Sequence, residues 1–177
     1  MRDSRQQRLD LVAFLGALCL FFSTIEYLFP KPFPFFRLGL ANLPVLLALD
    51  LFAPGYVLLL VALKVVGQGL VNGTLASYVF LFSAAGSLAS VLVMLAVYRS
   101  GERWITLIGV SLFGSLASNI VQVSLSVTFI FGQSAWVIAP PFLGLGVASG
   151  LVVGIFAQRF RTRSQWFSQL RGRLHGG

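Results

Sequence analysis

The stretch "GYVLLLVALKVVGQGLVNGT", residues 55–74, is almost entirely apolar, and its exceptions are Lys64, Gln68 and Asn72. These three recur at every fourth position, so on a helix they share one face. An ionisable group at membrane depth is costly to hold, and it faces a bundle interior or a watery cavity. Lys64 stands about nine residues from either end of its segment, roughly 13 Å along a helix, which is beyond easy snorkelling. The amine therefore requires an acid, a polar cavity or deprotonation. One stretch thus poses the question of fold, a helix in lipid, and the question of function, what the amine meets there.

The rest of the chain settles the first question. Hydrophobic residues make up 57% of the 177 positions and charged residues 10%, with mean hydropathy +0.88. A soluble domain carries about 25% charged residues. Long apolar runs broken by short polar stretches favour helices over the alternating pattern of a membrane barrel. The expected fold is an all-α integral membrane bundle, a single domain over residues 1–177. Six transmembrane helices are expected, at about 9–29, 38–53, 55–73, 76–98, 104–131 and 135–160. The second is short for a hydrocarbon core about 30 Å thick, and Pro44 marks it for a kink or a re-entrant course. The first lacks a small-residue cleavage site before "FPKPFPFF", so it reads as retained.

The net charge of +8 is distributed as juxtamembrane charge is. Arg2, Arg5, Arg8, Arg99, Arg103, Arg159, Arg161, Arg163, Arg171 and Arg173 fall on the side of both termini, Lys31 and Arg37 on the other. The positive-inside rule then places both termini in the cytoplasm, and the expected location is the bacterial inner membrane. This distribution argues against a nucleic-acid partner and makes the lipid bilayer the first partner. The basic tail 161–177, within "QRFRTRSQWFSQLRGRL", reads either as an interfacial helix on anionic lipid or as a frayed stop signal.

Several polar groups converge on the candidate site. Glu26 and Asp50 are the two acids within reach of Lys64. Lys64 either lines a cavity that attracts an anionic or carbonyl-bearing ligand, or it pins two helices as an ion pair. Gln68 and Asn72 extend its face. In "GSLASNIVQVSLS", Ser115, Ser118, Asn119, Gln122 and Ser126 form a second stripe, lining a cavity or clasping a neighbouring helix. Ser83, Gly86, Ser87 and Ser90 read as packing. The loop "FPKPFPFFRLGLAN" is stiffened by prolines and rich in aromatics, either a lid or an interfacial anchor. Arg37 and Asn42 open the second segment, where Arg37 is placed to pair with Glu26.

No G-x-x-x-x-G-K-[ST] loop is present and no aspartate-rich metal–diphosphate motif, the only aspartates being Asp3, Asp10 and Asp50. The single Cys19 excludes an intrachain disulfide and a cysteine-based metal cluster. His175 sits in a Gly-rich tail. No catalytic residue, no metal and no cofactor is expected, and the chain does not read as an enzyme.

The segments "RLGLANLPVLLAL", "LKVVGQGLVNGTL", "FLFSAAGSLASVLVM" and "GSLASNIVQ" together resemble the Gx transporter family, also called heptaprenyl diphosphate synthase component I, over about residues 9 to 160. The chain departs from the family at Ser118, where members often carry His before the Asn. The family resembles the substrate-binding S components of energy-coupling factor (ECF) transporters. The resemblance implies an S-component-like six-helix bundle with a ligand pocket on the outer side and a vitamin- or cofactor-precursor-like ligand. It also implies a separate coupling transmembrane subunit and ATPase pair. In S components a small-residue pattern on the first helix docks on the coupling subunit, and "AFLGA" supplies Ala13, Gly16 and Ala17. The expected ligand lining is Arg37, Asn42, Lys64, Gln68, Asn72, Asn119 and Gln122. The alternative implied by the older name is a non-catalytic membrane subunit or scaffold associated with heptaprenyl diphosphate or quinone synthesis, an accessory component of a polyprenyl diphosphate synthase.

Overall fold

The computed structural model describes residues 4–28, 39–101 and 105–175. Every regular element among them is helical. Helix α1 spans Ser4–Leu28. A 3-10 turn at Leu40–Asn42 leads into α2, Leu43–Leu51. Then follow α3, Pro54–Val71, and α4, Tyr78–Ser100. Helix α5, Leu107–Ser126, continues through a π-helical turn, Val127–Phe131. A 3-10 turn at Gly132–Ser134 precedes α6, Ala135–Arg163, and α7 is Gln165–His175.

Five of these segments are long and apolar enough to cross a membrane: Arg5–Glu26, Pro54–Val71, Tyr78–Ser100, Leu107–Ser134 and Trp136–Arg163. The chain is a multi-pass membrane protein. The expectation of six comparable spans is revised at the second segment. Leu40–Leu51 is a short apolar helix, about 18 Å long at 1.5 Å per residue, little more than half a bilayer core. Every residue from Pro44 to Leu51 is buried, so this piece is enclosed by protein rather than lipid. Burial on all sides explains why residues 44–49 read as an uninterrupted apolar run.

The other helices are two-sided. On α3, Val57, Leu60, Val61, Lys64, Val65 and Gln68 are buried, while Leu58, Leu59, Leu63 and Val66 are exposed. Inward residues recur at three and four, and the outward apolar face suits lipid. Helices α4, α5 and α6 pack most extensively. Small residues permit this: a Cβ added at Gly154 would stand 2.8 Å from the Ile108 backbone, so α6 could not hold its approach to α5 with a larger residue there.

Helix α3 ends where its sequence dictates. Gly73 takes φ +64°, the Gly73 N–H donates to Leu70 O at 3.2 Å, and the Thr74 N–H donates to Gly69 O at 2.9 Å. This is a Schellman termination, which a glycine enables. The cap residue is Asn72.

Both ends of the described chain reach one face of the bundle, where the Arg8 guanidinium donates to Leu174 O at 3.5 Å. The basic tail is ordered there as α7. Ser164 caps it, its hydroxyl accepting from the Phe167 N–H at 3.3 Å. Phe167 is buried and stands edge-on to Phe160, with centroids 6.2 Å apart, and Leu170 and Leu174 join the same apolar cluster. Of the two readings of the tail, the helix holds over Gln165–His175.

Asp50 anchors this terminal face. It is 4% exposed. Tyr98 donates its hydroxyl proton to Asp50 Oδ1 at 2.5 Å, and Asp50 Oδ2 lies 2.9 Å from Arg161 Nε and 3.6 Å from Arg171 Nη1. The carboxylate ties α2 to α4, α6 and α7 at once. It is therefore engaged by these three groups at the terminal face, while Glu26 is the acid that lines the cavity with Lys64.

Candidate functional site

A polar cavity lies between the helices, toward the face opposite the termini. Its walls bring together residues that are far apart in the chain: Glu26 from the end of α1, Gly39 and Asn42 from the turn before α2, Lys64 and Gln68 from α3, Ser83 and Ser87 from the start of α4, Ser118, Asn119 and Gln122 from α5, and Ser149 and Gly150 from α6. Each helix contributes through its own periodicity. Lys64 and Gln68 are one turn apart on the buried side of α3; Ser115, Asn119 and Gln122 repeat along α5 at four and three. The turn that presents Asn42 is set by Gly39, at φ +76°. The Gly39 N–H donates to the Glu26 carboxylate at 3.1 Å, so Glu26 holds the end of α1 to the entry of α2.

Within the cavity Lys64 donates a hydrogen bond through Nζ to Asn42 Oδ1. The amide carbonyl satisfies one of its donors, and the Glu26 carboxylate lines the same cavity. Lys64, Gln68, Asn119 and Gln122 are all between 3% and 6% exposed, so the charge and amides act in a water-poor setting where their interactions are strong. Gln122 donates from Nε2 to Ser118 Oγ at 2.9 Å.

Three polar atoms of the lining have no hydrogen-bond partner among the described residues: Ser83 Oγ, Asn119 Nδ2 and Gln122 Oε1. Leaving such a group unsatisfied costs about 1–3 kcal/mol, so bare packing is a poor account of them. A hydroxyl, an amide donor and an amide acceptor converging beside an ammonium can recognise a ligand that carries both donors and acceptors around an anionic or carbonyl group. Asn119→Leu is then expected to leave the thermal midpoint in detergent unchanged or raise it, by the equivalent of about 1–2 kcal/mol. A loss of stability of that size would mean that the amide serves the fold.

The cavity is small: its volume is about 40 Å³. A buried water needs about 10–15 Å³ on this measure, so it accommodates a few waters, while ligand clefts run to roughly 300–1,000 Å³.

The structure brings Asn42, Lys64, Gln68, Asn119 and Gln122 to one site. Asn72 is not among the described lining: α3 ends at Val71, and Asn72 is spent capping it. Arg37, with its expected pairing to Glu26 and the aromatic loop around it, lies outside the described residues. Sequence reasoning assigned Ser83 and Ser87 to packing, and it did not single out Ser111, Ser149 or Gly150, which also line the cavity. Serines are common in membrane helices for packing alone, and only the alignment with α5 distinguishes these. On α1, Ala13 and Ala17 are exposed along the lipid-facing side, whereas Gly16 is buried against α3, 3.8 Å separating an added Cβ from Leu60.

The family model described as heptaprenyl diphosphate synthase component I matches residues 15–160. No curated protein and no solved structure matches the chain.

Proposed function

The chain belongs to the heptaprenyl diphosphate synthase component I family, and on that premise we propose that it is the substrate-binding membrane component of a small-molecule transporter of energy-coupling factor type. The observation that carries the reading is the polar cavity, lined by buried Lys64 and by three residues that each carry a buried polar atom without a hydrogen-bond partner among the described residues. Asn42, Lys64, Gln68, Asn119 and Gln122 bind the ligand, and Arg37 is the further residue that the sequence assigns to this lining. The ammonium selects an anionic or carbonyl-bearing molecule of the vitamin- or cofactor-precursor kind. Binding a molecule of that size requires the walls of this cavity to separate. The chain performs no catalysis. Its charge distribution supports cytoplasmic termini in a bacterial inner membrane, and energy comes from a separate coupling subunit and ATPase pair.

Ala13 and Ala17 form the docking stripe on α1, their small side chains exposed where a partner helix can approach closely. Affinity capture of the gently solubilised full chain tests this. Wild type is expected to retain a membrane subunit and an ATPase pair, and the Ala13→Trp/Ala17→Trp variant is expected to lose them while keeping its thermal midpoint.

A second reading is favoured by the family description itself, in which "component I" points to a partner subunit. The chain would then be a non-catalytic scaffold that holds a soluble prenyl synthase at its basic terminal face. Capture of such an enzyme, unaffected at Ala13 and Ala17 but abolished by Arg159→Glu/Arg163→Glu, would favour it over the transporter. Arg161 is left out of that variant because it is bonded to Asp50.

A further inference from the structure

We propose that the terminal face carries a separate site for the phosphate headgroup of an anionic membrane phospholipid, in the cleft between α1, α2, α4 and α7. This cleft has a volume of about 500 Å³, more than ten times that of the polar cavity and within the range of ligand clefts. It is two-sided in chemistry. Arg8, Arg99 and Arg171 reach it from three different helices, and Phe52, Leu95 and Leu174 supply an apolar wall. A phosphodiester takes paired guanidinium groups well, and an apolar wall beside it suits the start of an acyl chain.

Asp50 is the one carboxylate among the described residues of the cleft's lining. Its close ionic contact is to Arg161 at 2.9 Å, and Arg171 stands farther off at 3.6 Å. Among the described residues no carboxylate pairs with Arg8 or Arg99, and the bond described for Arg8 is the long one to Leu174 O. Three arginines therefore surround the opening, while Asp50 is neutralised from behind by Arg161 and by the Tyr98 hydroxyl. A phosphate could draw Arg171 away without leaving Asp50 unpaired.

Position selects the lipid over a soluble phosphate. The cleft opens where the spanning helices end, beside α7. On α7, exposed Trp166 meets Phe14 edge-on at 6.3 Å. Aromatic residues with arginines mark the headgroup level, where lipid phosphate is at its highest local concentration, and basic pockets between helices at this level suit anionic headgroups.

The test is native mass spectrometry of the delipidated full chain, titrated with phosphatidylglycerol and with phosphatidylcholine of the same acyl chains. Wild type is expected to prefer phosphatidylglycerol about tenfold. Arg8→Gln/Arg99→Gln should reduce the preference below about threefold. Leu174→Trp, which fills the cleft without changing charge, should weaken retention of phosphatidylglycerol similarly should the arginine variant fold poorly. Arg159→Gln/Arg163→Gln, on the same face but outside the lining, should keep the preference. The proposal is overturned if wild type shows no preference, or if the control pair loses as much as the cleft pair, which would mean diffuse attraction to a basic surface. Displacement of phosphatidylglycerol by millimolar inorganic phosphate would assign the cleft to a soluble anion and would equally overturn it.

Discussion

Replacing Asp50 by alanine is expected to lower stability by about 2–4 kcal/mol and to release α7 from the bundle. The carboxylate is almost wholly buried, and three groups converge on it from α4, α6 and α7. Removing it leaves the Tyr98 hydroxyl without its acceptor and two arginines facing each other. Breaking a buried pair in this way costs about 3–5 kcal/mol, mostly because the surviving charge is uncompensated. Here the Arg161 side chain is 27% exposed and the Arg171 side chain 50%, so water recovers part of that and the lower figure applies. The measurement is the thermal midpoint in detergent together with trypsin cleavage at Arg161 and Arg163, which freeing α7 should accelerate. The Asp50→Ala/Arg161→Met double variant should recover part of the loss, because one of the two uncompensated charges is gone. A midpoint for Asp50→Ala close to that of wild type would show that α7 is held by Phe167 and its apolar neighbours alone.

Lys64→Ala is expected to weaken ligand binding about 10- to 100-fold, the worth of about 1.5–3 kcal/mol for a hydrogen bond to a charged group. The fold should tolerate the change, since it removes a buried ammonium together with its desolvation cost. The two alternatives for this residue separate cleanly on this point. A ligand-binding lysine moves affinity and leaves the thermal midpoint near that of wild type. A lysine that serves as an ion-pair pin with Glu26 moves the midpoint and leaves affinity alone. Paired with Asn119→Leu, which should also lower affinity without harming the fold, it distinguishes a site from a clasp.

Particular residues show how far the sequence could be read. The four-residue spacing of Lys64 and Gln68 was enough to place them on one buried face, because helical periodicity is fixed by backbone geometry. The same spacing says nothing of where a helix stops, and Asn72 stands one residue past the end of α3; Gly73 marks that stop, and the Schellman bonds need it. Asn119 and Gln122 were legible as a stripe, yet the partners of that stripe on α4 and α6 were not. Whether Ser83 packs or lines a cavity depends on which helices lie alongside, and local composition carries no such information. Asp50 is the clearest limit. Its partners Arg161 and Arg171 lie more than a hundred residues further on, and no local pattern in the sequence points from Asp50 to them. The run over residues 38–53 has the composition of a membrane span. Its shortness as a helix becomes intelligible only when protein, not lipid, is found on every side of α2.

The central claim is that the polar cavity around Lys64 binds a small molecule. It is tested most directly by native mass spectrometry of the gently purified protein, wild type beside Lys64→Ala, with every co-purifying species identified. The account predicts a small polar, anionic or carbonyl-bearing ligand that is retained by wild type and lost from the variant. Finding only lipids and a prenyl synthase partner, in the same amounts in both samples, would contradict it and favour the scaffold.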